Sequence, residues 1–73
     1  MGKRLVVKLP QLLEREGISL RELGRRTDIR HAALSELSNL KRSTVNINHL
    51  LAIAEALNIN SINEILEIVD DEG

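Results

Sequence analysis

The sequence predicts an all-α domain of five short helices, and three observations carry that expectation. Leucine, isoleucine, valine and alanine recur at helical spacing in several separate runs. Two Ser-x-x-Glu pairs, Ser19 with Glu22 and Ser61 with Glu64, stand where helices would begin. Gly17, Asn39 and Asn58 each follow an apolar run and can end a helix, while Asp28 tolerates the left-handed backbone of a sharp corner. With 73 residues the chain has room for one small domain, because a domain near this size buries only about 60% of its unfolded surface.

Residues 1–9 read as an N-terminal arm or short strand, since RLVVK at 4–8 is β-branched and brief. Pro10 suits the first turn of a helix, where its missing N–H costs nothing. Leu9, Leu12 and Leu13 share one face and Gly17 stops the helix, which gives a first helix over about 10–16. Ser19 and Glu22 then open a second helix near Leu20, with Leu20 or Leu23 and Gly24 inward. It breaks after barely two turns at Thr27-Asp28-Ile29.

A third helix runs from Arg30 or His31 to Ser38, with Ala33, Leu34 and Leu37 as its buried stripe. Residues 40–48 are polar around an alternating Val45-Asn46-Ile47, which is expected to be extended and available to pair with residues 4–8. A fourth helix follows from about Asn48, turning Leu50, Ile53, Ala54 and Leu57 inward, and Asn58 caps it. Ser61 and Glu64 open a fifth, whose Ile62, Ile65, Leu66 and Val69 form one apolar face before an acidic tail at 70–73. Exposure of Ile68 and Val69 would favour a dimer seam there.

Composition excludes several classes of function. Without cysteine there is neither a disulfide framework nor a thiolate metal site, and no oxidising compartment is required. Without Phe, Tyr or Trp there are no stacking platforms for unpaired bases, whereas binding to a duplex survives that test. The longest apolar run, LLAIA at 50–54, is far short of a membrane span, and no signal-peptide hydrophobic region opens the chain, so a cytoplasmic protein is expected. His31 and His49 lie on different helices with no thiol and no Gly-rich phosphate loop nearby, so neither an enzyme nor a metal or cofactor site is expected.

Charge is divided unevenly along the chain. All ten Lys and Arg lie between Lys3 and Arg42, against five acids there. The six remaining acids follow Ser43, with no basic residue among them. Such a division points to two faces with different partners. Two short helices joined by a tight break, the second offering small and polar residues outward, have the geometry of a helix-turn-helix.

The order of residues adds to the spacing. LLEREGISLRELGRRTDI, HAALSELSNLKR, HLLAIAEALNI and SINEIL, which together cover nearly the whole chain, resemble the Cro/C1-type (XRE-like) family of helix-turn-helix transcriptional regulators. The resemblance implies a five-helix, lambda repressor-like DNA-binding domain. It also implies a homodimer, acting as a repressor, that reads a near two-fold site in double-stranded DNA with the third helix in the major groove.

Carried over by position, Arg30, His31, Ala32 and Glu36 would face base edges, with Ser35 nearby. Arg30 can donate two bonds to guanine O6 and N7, Ala32 can touch a thymine methyl, and His31 can donate to a base or phosphate. Glu36 either accepts from a cytosine amine or pairs with a neighbouring arginine. Phosphates would be held by the start of the second helix, Arg21, Asn39, Lys41, Arg42, Ser43 and Thr44. Arg25 and Arg26 also suit the dipole at the end of the second helix.

Three positions depart from the family pattern. Leu20 stands where a phosphate-binding Gln is usual, Asp28 where the turn usually has Gly, and Leu40 where Gly usually follows Asn39. A rival reading keeps the fold but makes it a protein-interaction module, antitoxin-like or the partner of a phage or plasmid regulator, with the acidic half as its interface.

Overall fold

The computed structural model describes residues 2–39 and 44–71. The element order is β1 (Lys3–Val7), α1 (Leu9–Glu16), α2 (Leu20–Thr27), α3 (His31–Asn39), α4 (Ile47–Leu57), a 3₁₀ turn (Ile62–Glu64) and β2 (Leu66–Asp70).

Most boundaries follow from local chemistry. Pro10 sits in the first turn of α1, and Gly17 closes it with φ 72. Ser19 Oγ accepts the Glu22 amide at 3.0 Å to start α2. The reciprocal half of the expected capping box does not form, because the Glu22 carboxylate turns along the helix to Arg26 at 3.1 Å and Arg25 at 3.6 Å. Asp28 ends α2 at φ 60 and Asn58 ends α4 at φ 56, the left-handed caps expected of them. The start of α4 is set by Asn46, whose Oδ1 accepts the amides of Asn48 at 2.9 Å and His49 at 3.3 Å.

The core is aliphatic throughout. Leu9, Leu23, Leu34, Ile53 and Ile65 are almost completely enclosed, and Leu12, Leu13, Ile29, Leu57 and Ile59 complete the cluster with Val7. Each such side chain contributes about 1.5–3 kcal/mol by leaving water. Helix α2 packs against both α3 and α4, and Leu23 and Leu34 anchor α2 and α3 to the core.

Two expectations are corrected. Among the described residues there are four α-helices, and the predicted fifth is a 3₁₀ turn followed by a strand. Ser61 Oγ accepts the amide of Asn63 at 3.3 Å, while Glu64 leaves the turn to accept from Arg15 Nη2 at 2.8 Å. That hydrogen bond ties α1 to the turn and holds the Arg15 guanidinium pKa above its ordinary value. Ile65 drops into the core, and the chain continues extended.

The second correction concerns the partner of β1. It pairs antiparallel with β2, Leu5 opposite Ile68, and not with Val45–Ile47. Residues 45–47 cannot serve as a strand because Asn46 caps α4 and Ile47 is already helical. The small sheet therefore adds to a mostly helical domain, and Asp70, expected in the tail, is the last residue of β2 and pairs with Lys3.

Candidate nucleic-acid interface

The corner between α2 and α3 depends on close backbone approach. A Cβ on Gly24 would stand 3.1 Å from the Ile29 carbonyl oxygen and 3.5 Å from Leu34 Cδ1, so the missing side chain lets the turn fold over α2. Asp28 reverses the chain in the left-handed region and Ile29 is buried beyond it. The chain then emerges at Arg30, whose carbonyl accepts the amides of Ala33 at 3.0 Å and Leu34 at 3.1 Å and so starts α3.

The residues expected to read bases divide by exposure. Arg30, His31 and Ala32 are all exposed at the start of α3. No hydrogen bond or ion pair engages the side chains of Arg30 or His31 among the described residues. Ser35 is half-buried, and so is Glu36, one turn beyond Ala32. Glu36 lines a groove with Ala33, Leu37, Thr44, Val45, Asn46 and His49, at the margin of the exposed face.

The expected phosphate contacts are less uniform. Arg21 is exposed with its guanidinium unengaged among the described residues. Asn39 is exposed, but its Nδ2 already donates to the Ser35 carbonyl at 3.0 Å within α3. Thr44 is exposed, and Lys41, Arg42 and Ser43 lie outside the described residues, as does Leu40. Leu20, in the place of a phosphate-binding Gln, is instead packed against the core. Arg25 and Arg26 share the Glu22 carboxylate, which offsets part of their positive charge.

The sequence model of the Cro/C1-type HTH DNA-binding domain matches residues 8–71. The chain belongs to that family. No curated protein and no solved structure matches it. In this Cro/C1-type domain the match begins just before α1 and takes in all of β2, so β1 lies outside it. Helices α2 and α3, which meet at the Asp28 corner, both lie within the match.

One contributor escaped the sequence reading. Asn46 fixes where α4 begins and lines the groove beside Glu36; its signal was present, since Asn is among the preferred N-cap residues. Among the described residues no cluster of His, Asp or Glu is arranged to hold a metal ion, and no helix is long and apolar enough to cross a membrane.

Proposed function

We propose that this Cro/C1-type domain is a transcriptional regulator that binds double-stranded DNA as a homodimer, with α3 in the major groove, and represses by occupying its site. One observation carries the reading. Arg30 stands exposed and, among the described residues, unengaged at the start of a helix that the enclosed Leu34 holds to the core, with Ala32 on the side opposite Leu34. A guanidinium presented this way matches the two acceptors of guanine, and the small Ala32 beside it admits close approach. His31 and Ser35 complete the base-reading set, and Glu36 reaches it from the groove margin. Arg21, Thr44 and, from outside the described residues, Lys41, Arg42 and Ser43 supply phosphate contacts that set affinity rather than sequence.

Selection of bound sites from a random duplex pool tests the proposal. The expected product is a near two-fold site with half-sites about one helical turn apart. A second reading, a protein-interaction module, draws on Ile47 and Leu51, which leave α4 exposed at 69% and 62%. It expects no enriched duplex, and that outcome would replace the DNA-reading proposal.

A further inference from the structure

The sheet has two edges and they are not equivalent. Lys8 N donates to Ile65 O at 2.7 Å and Asp71 N to Gly2 O at 2.9 Å, which fixes the alternation of the ladder between them. Arg4 with Val69 and Val6 with Glu67 are the hydrogen-bonded pairs, so the main-chain groups of Leu66, Ile68 and Asp70 point away from β1. Among the described residues no backbone or side-chain group answers them. Strand β1, by contrast, also packs against α3.

The side chains along that edge are unusual for a free strand. Natural edges are blunted by charge, proline or bulges, yet Ile68 projects here with 70% of its surface exposed. Leu5, Leu66 and the exposed Ile62 surround it in one shallow groove. On the opposite face Arg4 and Glu67 carry opposite charges, and neither is engaged among the described residues.

We propose that β2 is the seam through which two copies of this chain pair, antiparallel about a two-fold axis at Ile68, to form a continuous four-stranded sheet. In that register Ile68 lies opposite its own copy and Leu66 opposite the partner's Asp70, so each outward N–H and C=O of the edge finds its complement. One face becomes the row Leu5, Ile68, the partner's Ile68 and the partner's Leu5. On the other face Arg4 and the partner's Glu67 lie two strand spacings apart, about 4.8 Å each, and their long side chains close that gap over Val69. Asp70 already holds Lys3, so its charge does not oppose the seam. The pairing deepens the dimeric reading above and rests on it for its role at DNA, but its test contains no DNA.

Sedimentation equilibrium of the full chain should show a dimer at micromolar concentration. Ile68→Glu places like charges across the axis and should weaken association by about tenfold or more, while circular dichroism stays helical because the side chain is exposed. Arg4→Glu and Glu67→Arg should each weaken self-association, and an equimolar mixture of the two should recover it. In the mixed dimer both inter-chain pairs are again opposite in charge, whereas pairs within one chain stay repulsive. A monomeric wild type would overturn the proposal, as would an Ile68→Glu variant as dimeric as the wild type. A mixture no more associated than its components would overturn the register. A dimer that selects no duplex would leave this seam standing and remove the DNA reading, and a monomer that selects one would remove the seam and the homodimer while leaving duplex recognition.

Discussion

Gly24 on α2 and Ile29 beyond the turn approach so closely that a methyl group on the glycine would stand 3.1 Å from the isoleucine carbonyl oxygen. That contact sets how far α3 can close on α2. Gly24→Ala gains up to about 1 kcal/mol of helix propensity and loses a similar amount to crowding, so stability should change little. Gly24→Val has no such compensation and should lower the urea midpoint clearly. Equal midpoints for the wild type and the valine variant would mean that the corner is not tightly packed.

Arg30 and Arg21 should fail differently at DNA. Arg30→Ala should cost about 1–3 kcal/mol at one base pair and relax preference there. Arg21→Ala should weaken every duplex alike and reduce the salt dependence by about one released counterion. Competition binding at several salt concentrations separates the two, and identical behaviour of both variants would reject the division into base and phosphate contacts.

Leu34 holds the back of α3 in the core with 1% of its surface exposed. Leu34→Ala should destabilise the domain by about 2–5 kcal/mol, enough to unfold a chain this small. Leu51→Ala, at an exposed position of α4, should stay within about 0.5 kcal/mol. Chemical denaturation followed by circular dichroism checks both, and the comparison fails if the two variants unfold together.

Asp28 holds φ 60 without being glycine. Asp28→Gly removes the side-chain penalty of the left-handed region at some cost in unfolded-chain freedom, and a net gain of up to about 1 kcal/mol is expected. A lower thermal midpoint in the glycine variant would show that the aspartate side chain itself stabilises the corner.

The first four helices were legible because each carries its own start or stop signal: Pro10 and Gly17, Ser19 and Asp28, the stripe through Leu34, and Ile53 with Leu57 ahead of Asn58. Ala32 was legible as an outward position because it lies opposite the buried Leu34 on α3, whereas Arg30 and His31 are exposed because they stand where the helix begins. Residues 61–70 misled because Ile62, Ile65, Leu66 and Val69 fit helical spacing, and a short apolar run is ambiguous between helix and strand. What decides them is remote. Arg15 takes Glu64 away from the cap, and Val6 and Val7 offer a ladder to Glu67 and Leu66. The side-chain engagement of Glu22 and Asn39 was equally hidden, because several partners stand within reach of each in the sequence alone.

The ribbon joins residues 3–7 to residues 66–70, so it can form only when distant stretches of the chain have been brought together. Closing so long a loop carries an entropy cost that local helical turns do not bear. The helices should therefore provide the frame on which the strands meet, with the ribbon expected to assemble last and open first. Its amides should exchange with solvent sooner than those around Leu23 and Ile53, which leaves the corner between α2 and α3 intact while the strands separate and rejoin.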